Sequence, residues 1–574
     1  MATTSSQVED PTIGEDVNDH FAWNKDVIAN LFALYATYFA STWAMSVPNG
    51  SIVFILREYP QEQSSSAWIS AGPSFALCVI QIFLGDISDI FGRKMFLLVG
   101  SLFGIIGLLV AATAKNVPII IAGQVLNGVA LTMGYLATPL LAEAVPKRQR
   151  APVIGIATAL VGIAGIGGNL SQAAYMKGEV GGLNKGWRIG FYAGAGLWVM
   201  SFVSVFFFYR PGPRPNPEGL SVGARLAKID WLGILFGTSS LLFLLVGLQL
   251  GGQPKYPWDG ATVIAFLVVG AAVLVVFSVW EWKSKWASLF PKSLFDHSNY
   301  SLTLVLNFIE GMVIFSIQAY IPQIVLSLMT TDYILSVVYN LPSVIFAMIA
   351  AGCFSFVASK TKEAKWVTLA SSVALTLGTG FMALVKPNVH YMAFCVATAL
   401  VGVGVGGLGA LIPTIATLCT PNRYIATSVS IGTSIRGLGG AIGIVAATQI
   451  FTTKIGKLLP KMVAEASVAA GLAPEMVPNL MGAIASGDPA LIQSVDGATP
   501  EVMMAVIRAT GKAYGDSFRF VWWFILPFGV LAILGSVLLK STKEQMTLQV
   551  ASNVQSHYAV NNNADIKLEK QRDD

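Results

Sequence analysis

The stretch that decides how this chain folds is GDISDIFGRK, residues Gly85–Lys94. Apolar runs flank it at roughly 67–84 and 95–114, and each is about as long as a helix that crosses a membrane. The stretch therefore predicts a short turn between two membrane-spanning helices. Gly92 allows the turn to be tight, because glycine tolerates backbone conformations that other residues avoid.

The same ten residues also suggest a conformational latch. Gly85 permits a close approach of two helices, Asp89 lies at a helix end, and Arg93 and Lys94 carry the positive charge that is typical of cytoplasmic turns. An acid beside cations can form a contact that holds one of two conformations, which a transporter needs. The alternative is a basic turn that only sets the topology.

Composition places the chain in a membrane. Of its 574 residues, 54% are hydrophobic and only 12% are charged. Soluble domains carry about twice that charged fraction, so a water-exposed surface of this size could not be covered. Four cysteines are too few for a disulfide scaffold, and the four histidines lie outside the apolar runs, which excludes a histidine relay. Neither a metal site nor an ATP-binding loop is predicted.

Fourteen apolar runs predict fourteen membrane-spanning helices. They lie at roughly 27–48, 67–84, 95–114, 117–142, 152–175, 188–209, 231–250, 261–281, 300–328, 335–357, 366–385, 391–418, 424–452 and 519–539. An even number puts both termini on one side. If that side is cytoplasmic, its short connections hold sixteen Lys and Arg against seven on the other side, as the positive-inside rule requires.

The spacing of the runs predicts the domain organisation. It comprises a disordered acidic tail without a secretory signal at 1–26, six helices at 27–209, a Pro-rich cytoplasmic linker at 210–230, two inserted helices at 231–282, six helices at 299–540 and a cytoplasmic tail at 541–574. The external connection 453–517 contains amphipathic pieces and is either a small extramembrane cap or a passive loop.

The turn resembles the signature loop of the major facilitator superfamily, G-x-x-[SA]-D-x-x-G-R-[KR]. Gly85, Ser88, Asp89, Gly92, Arg93 and Lys94 all match it. The resemblance implies an all-α integral membrane fold of two six-helix bundles around a central cavity. It also implies that Glu143 and Arg150, at the inner end of the fourth helix and beyond it, belong to the latch.

Other segments resemble the fourteen-helix fungal drug:proton antiporters, most closely the trichothecene-efflux-pump and siderophore-transporter branch. They are WRIGFY from Trp187, the two inserted helices from Asp230, and TSIRGLGGAIG from Thr433. Three features depart from the antiporter pattern. Gln124 replaces an arginine of the fourth helix, the first helix lacks an acid, and the fifth helix lacks a proline but keeps small residues.

Glycines in two of the runs are typical of close helix packing. They are Gly162, Gly165 and Gly168 in the fifth run and Gly439 and Gly440 in the thirteenth.

Two charged residues lie deep inside apolar runs. Glu310 lies about 15 Å from the start of the ninth run, and Arg436 lies about 18 Å from the start of the thirteenth. Inserting a charged residue at the centre of a membrane-spanning helix costs about 2.5–3.5 kcal/mol. We interpret Glu310 as the proton site and Arg436 as its counter-charge or as a contact for an anion. A purely structural ion pair is the alternative. Asn307 and Gln318 are weaker candidates for the cavity lining.

Aromatic and polar residues of the first and fourth runs are candidates for substrate contact. In the superfamily these helices line the cavity, which favours Tyr38, Trp43, Gln124 and Tyr135. Lipid-facing or interfacial packing is the alternative for each aromatic residue.

The sequence thus predicts a monomeric secondary transporter, not an enzyme, without cofactor or nucleic-acid partner. Surrounded by membrane lipid, it would export an organic metabolite, toxin or xenobiotic in exchange for protons. The alternatives are proton-symport uptake of a siderophore-iron chelate or similar solute and, in another class, a membrane sensor without transport. The plasma membrane is the predicted location, with vacuolar or vesicle membranes as alternatives.

Overall fold

The computed structural model describes residues 23–59, 67–178, 185–211, 229–253, 255–283, 289–330, 332–387, 389–486 and 499–547, with a few isolated residues between them. Within these residues the chain is helical and contains no β-strand. Most of the predicted tail 1–26, most of the predicted linker 210–230 and most of the predicted tail 541–574 lie outside the described residues, which resume at 23, break after 211 and end at 547.

Sixteen helices follow one another in the described part of the chain. They are α1 Lys25–Glu58, α2 Ala67–Phe91, α3 Arg93–Ala112, α4 Val117–Tyr135, α5 Ala137–Glu143, α6 Arg150–Lys177, α7 Trp187–Phe208, α8 Trp231–Leu250, α9 Ala261–Lys283, α10 Ser298–Leu328, α11 Tyr333–Thr361, α12 Lys365–Met382, α13 Tyr391–Cys419, α14 Ile425–Ala469, α15 Val477–Ser486 and α16 Pro500–Leu538.

Thirteen helical segments of the described chain are long and apolar enough to cross a membrane, with α4 and α5 counted as one crossing. The fourteenth predicted span is α12, which has 18 residues, or about 27 Å of helix, but falls below the hydropathy of the others. Its low hydropathy comes from Lys365 at its start and from Thr368, Ser371, Ser372 and Thr379. These four hydroxyl side chains are buried and bond within the helix.

The chain forms two bundles and an insert, as the sequence predicted. Helices α1–α7 form the N-terminal half and α10–α16 the C-terminal half. The inserted helices α8 and α9 pack on each other, and α8 also packs against α2 and α14. We call the end that carries the start of α1 and the end of α16 the inner end, and the opposite end the outer end. The inner end is the side predicted to be cytoplasmic.

The connection 453–517 is helical over most of its length. Helix α14 continues to Ala469, and α16 begins at Pro500, so both extend well beyond their predicted spans. With α15 they enclose a small apolar core of Val463, Leu472, Leu480, Val502 and Val506. This arrangement is a compact outer cap rather than an irregular loop.

The inner end of α16 continues into a segment that lies against the protein. Residues 541–547 follow the last helix, and within them Thr542 is 1% and Met546 2% exposed. They belong to the predicted cytoplasmic tail 541–574, and their polar sequence gives no sign of the partners that bury them.

An outer cluster of Glu58, Tyr59, Trp187 and Arg188 joins the outer ends of α1, α3 and α7. The Arg188 guanidinium donates to Glu58 Oε1 at 2.8 Å and to the carbonyl oxygens of Ala112 and Ala114 at 2.7 and 2.8 Å. Trp187 Nε1 donates to Glu58 Oε2 at 2.8 Å. Burial alone would raise the pKa of the Glu58 carboxyl, but the hydrogen bonds from Arg188 and Trp187 hold that pKa below its ordinary value of 4.5.

Replacing Arg188 by Met is expected to lower the free energy of unfolding by roughly 2–3 kcal/mol, because it removes the cationic partner of the Glu58 carboxylate and a donor to the carbonyls of Ala112 and Ala114. Thermal unfolding in detergent measures this, with the exposed Lys185→Met as control.

The lowered pKa of Glu58 makes stability depend on pH. The ionised carboxylate stabilises the folded state at pH values above its ordinary pKa of 4.5, and this contribution is lost as the pH falls below about 4.5. The fall in stability at low pH should disappear in Glu58→Gln. An equal fall in that variant would contradict its assignment to the Glu58 carboxylate.

Candidate functional site

At the inner end, α2 of the N-terminal half lies directly on α14 of the C-terminal half. A Cβ atom at Gly85 would lie 2.7 Å from Thr427 Cα, so only glycine permits this approach. Beside it, Thr427 Oγ1 donates to Asp86 Oδ1 at 2.5 Å. One helical turn away from the inner end, toward the middle of α2, Gln81 Nε2 donates to Ser430 Oγ at 3.2 Å. The two halves are therefore joined by polar contacts along this seam.

The remaining residues of the predicted latch lie around the turn between α2 and α3. Gly92 has a φ of +93°, which makes the tight turn possible. Arg93 forms an ion pair with Glu143, and both side chains are about 90% buried. Lys94 Nζ donates to the carbonyl of Phe206 at 2.9 Å. Asp89 lies in α2, but its side chain is outside the described part of the chain.

A second inner seam joins α6 to α11 and α13. The fully buried Arg150 donates from Nη1 to the carbonyl of Thr417 at 2.6 Å. The carbonyl of the neighbouring Arg148 accepts a bond of 2.8 Å from Ser359 Oγ. The structure therefore brings Gly85 and Arg150 into contacts between the halves, whereas Arg93, Glu143 and Lys94 make theirs within the N-terminal half.

At mid-membrane, Arg436 of α14 and Glu310 of α10 form a bidentate ion pair. Arg436 Nη2 donates to Glu310 Oε1 at 2.7 Å, and Nε donates to Oε2. Gly311 lies against the Arg436 carbonyl, which brings the two helices close enough for the pair to form. The Glu310 side chain is 1% exposed and that of Arg436 28%. A charge pair at this depth faces protein or water, because lipid cannot solvate it.

The exposure of side chains along α10 differs between its faces and between its two ends. Successive residues of a helix are about 100° apart around its axis. Asn307 and Gln318 therefore lie about 60° and 80° from Glu310, on the same side of the helix. Val305 and Gln323 share another face, about 140° from Glu310 in the opposite direction. Val305 is 51% exposed and faces outward. Gln318 is exposed too, but it lies on the face that carries Glu310 and nearer the outer end. Asn307, on the same face and nearer the inner end, is only 7% exposed. On the face that carries Glu310, α10 is therefore more exposed on the outer side of the ion pair than on its inner side.

Two tyrosines of the N-terminal half face the ion pair. The rings of Tyr38 and Tyr135 pack edge to face with centroids 5.2 Å apart. Both lie within electrostatic range of Arg436, and Tyr38 is also within range of Glu310. The two halves therefore contribute different chemistry to one site, with aromatic phenols on one side and a charge pair on the other.

Two other cavity candidates lie within the N-terminal bundle. The Trp43 ring packs against Gly167 and Gly168 of α6. Gln124 is fully buried and its Oε1 accepts a weak bond of 3.4 Å from Asn127, which also bonds to Trp198 of α7. Both residues contact helices of their own bundle, and the structure does not bring them to the ion pair.

The predicted packing glycines lie at helix contacts. Gly162 faces Met348 of α11 across the two halves, and Gly165 and Gly168 face Ser46 of α1. Gly439 and Gly440 face Phe308 and Phe315 of α10, which holds α10 and α14 together on either side of the ion pair.

With this geometry in view, comparison with known proteins identifies the family. A family model described as "Fungal trichothecene efflux pump (TRI12)" matches residues 11–570. The chain belongs to this family. It is therefore a multi-pass membrane transporter of the major facilitator superfamily and not an enzyme.

Two fungal proteins that resemble this chain are named as efflux pumps. The chain is 23% identical to the trichothecene efflux pump TRI12 of Fusarium sporotrichioides, with 94% of this chain and 89% of that protein covered. It is 26% identical to the efflux pump dotC of Dothistroma septosporum, with 84% and 79% covered.

Solved structures confirm the fold. The proton:xylose symporter XylE of the major facilitator superfamily superposes with a TM-score of 0.55 at 13% identity, over 92% of this chain and 98% of that one. The human organic anion transporter MFSD10 gives 0.50 at 10% identity, over 87% and 99%. These similarities show that the architecture is shared.

Sequence reasoning missed the partners of the latch. Asp86, Gln81 and Thr427 lie in the inter-half seam, yet none was predicted to matter. A signal did exist in TSVSIGTS, residues 427–434, where hydroxyl groups interrupt an otherwise apolar run. Their role depends on which helix lies opposite, and no local pattern shows that.

Proposed function

We propose that this chain exports an organic secondary metabolite, toxin or xenobiotic in exchange for protons. The observation that carries the proposal is the Glu310–Arg436 ion pair, held deep inside two membrane-spanning helices with the Glu310 carboxylate buried and Arg436 partly exposed. Membership of the efflux pump family supports the direction of transport. The pair supports the coupling to protons.

A membrane-buried carboxylate with one cationic partner is suited to proton exchange. While Glu310 is ionised, its charge is compensated by Arg436, and the two helices are held together. A proton taken up from the outer side would neutralise Glu310 and leave Arg436 without its counter-charge, which is unfavourable in a protein interior. The contact between α10 and α14 would then weaken, and the relative stability of the two conformations would change.

The surroundings of the pair favour an amphipathic organic substrate. Tyr38 and Tyr135 offer ring faces and hydroxyl groups opposite the charged side chains. Aromatic rings with a few fixed polar groups are typical of sites for drug-sized organic molecules. Relatives whose names denote efflux of a trichothecene support this class of substrate.

Proton-symport uptake of an organic solute, such as an iron chelate, is the second candidate. It is favoured by Gln124, which stands where the antiporters carry arginine, and by the absence of a proline from α6. We further propose that the protein acts as a monomer surrounded by lipid in the plasma membrane, with vacuolar or vesicle membranes as alternatives.

Comparing metabolites in cells and medium, with and without the gene, tests the direction of transport. Export predicts that deletion causes at least one organic compound to accumulate in cells and to fall in the medium, and that overexpression reverses both changes. Untargeted mass spectrometry measures the compounds. Loss of cellular accumulation on deletion would support uptake instead, and unchanged profiles in both strains would contradict transport of an endogenous metabolite.

A further inference from the structure

The segment that follows α16, Leu539–Thr547, runs beneath the C-terminal bundle and ends on the N-terminal half. We call this segment the strap. We propose that the strap holds the inner end closed and that its release favours opening of the transporter toward the inner side. This proposal concerns the seam between the halves and does not depend on the direction of transport or on proton coupling.

The first part of the strap is anchored to two helices of the C-terminal half. The backbone of Lys540 exchanges two hydrogen bonds with the Asn299 side chain of α10, at 2.8 and 3.1 Å. Ser541 Oγ donates to Glu363 Oε2 at 2.6 Å, and the amide of Thr542 donates to Glu363 Oε1 at 3.3 Å. Glu363, in the turn between α11 and α12, is thus the principal anchor, and it is only 9% exposed.

The second part of the strap covers the inner end of α13. Cys419 Sγ donates to Gln545 Oε1 at 3.2 Å, and the thiol is 3% exposed. Met546 packs into the core of the C-terminal bundle. Cys419 is therefore a natural reporter, because removal of the strap would uncover it.

The end of the strap crosses to the N-terminal half. The amide of Arg148, between α5 and α6, donates to the Thr547 carbonyl at 3.0 Å. The carbonyl of the same residue accepts from Ser359 of α11 at 2.8 Å. Both polar groups of this one backbone position are thus bonded to the C-terminal half, and its neighbour Arg150 adds the bond to Thr417.

Opening of the inner end separates the halves, so the contact between Arg148 and Thr547 must break. A strap that is fixed along its length by Glu363 and Asn299 keeps the Thr547 carbonyl in place and favours the closed state. One or two hydrogen bonds of this kind shift an equilibrium by about threefold to tenfold. The strap would therefore adjust the balance between conformations, and the seam contacts at Gly85 and Arg150 would provide the remainder.

A charge placed beside Glu363 tests the proposal. Ser541→Glu sets a second carboxylate against the first, whereas Lys543→Gln makes the same change of net charge at an exposed strap residue. Two readouts are used in full-length protein in membrane vesicles. The first is alkylation of Cys419 by an impermeant maleimide from the inner side, with the other three cysteines replaced by Ala. The second is the rate of disulfide formation between Asp86→Cys and Thr427→Cys in a chain without other cysteines.

We expect Ser541→Glu to raise the alkylation rate about tenfold and to slow disulfide formation about threefold or more, with Lys543→Gln unchanged in both. A chain that ends after Lys540, compared with one that ends after Thr547, should show the same pair of effects. Rapid alkylation with an unchanged disulfide rate would overturn the proposal, because the strap would then lift without loosening the seam. Unchanged rates in both Ser541→Glu and the shorter chain would overturn it as well.

Discussion

Replacing Glu310 by Gln is expected to abolish the acceleration of export by an acidic outer medium and to lower the rate at least a hundredfold. Glutamine cannot exchange a proton, and it leaves the Arg436 guanidinium without its bidentate partner. The measurement is uptake of the exported compound into inside-out vesicles as a function of the imposed pH difference. Unchanged rate and pH dependence would reject Glu310 as the proton site.

The double variant Glu310→Gln/Arg436→Met separates coupling from stability. A buried ion pair can often be replaced by uncharged residues of similar volume with little loss of stability, whereas removal of one partner is costly. If the pair only stabilises the C-terminal bundle, the double variant should regain pH-dependent export. If Glu310 carries the proton, the double variant should regain thermal stability but still show no response to the pH difference.

Replacing Gly85 by Val is expected to prevent closure of the inner end and to lower export at least tenfold. The added Cβ would lie 2.7 Å from Thr427 Cα and 2.8 Å from its amide nitrogen, well inside van der Waals contact. Helix α2 would have to withdraw from α14, which would break the Asp86–Thr427 hydrogen bond. The protein should still fold, because the clash arises only where the two halves meet.

The control is Gly196→Val on α7, where an added Cβ meets nothing within 4 Å. Export and the accessibility of inner-end cysteines are measured for both variants. We expect Gly85→Val to expose the inner seam to thiol reagents and Gly196→Val to resemble the parent protein. Normal export by a stable Gly85→Val protein would show that this close approach is dispensable.

The fold was predictable because its signals are local. Fourteen apolar runs and their alternating charge predict the number of helices and their orientation, whereas the two-bundle architecture was implied by the resemblance of the Gly85–Lys94 turn to the superfamily's signature loop. Helix α12 shows the limit of hydropathy, since Lys365 and four buried hydroxyl side chains reduce its apolar character although the segment is helical and packed in the C-terminal half.

The sites were predictable where one residue is anomalous in its own surroundings. Glu310 and Arg436 were conspicuous as charges in apolar runs, and the structure brings them together. Asp86, Glu363 and the strap were not conspicuous, because their roles follow from partners more than 120 residues away along the chain. The Trp43 ring packs against glycines of α6, a contact that no sequence pattern could predict, and its role in substrate contact stays a prediction.

The central claim is that protonation of Glu310 controls the separation of the two halves at the inner end. It is tested most directly by the distance between spin labels at Lys147→Cys and Asn422→Cys, on opposite halves, in lipid at pH 5 and pH 8. The chain has its native cysteines replaced by Ala. In the protein that keeps Glu310, we predict two populations, one with a short and one with a long distance between the labels, and their proportions should change with pH. In Glu310→Gln, the proportions of the two populations should not respond to pH. A single distance at both pH values, or an equal pH response in Glu310→Gln, would contradict the account.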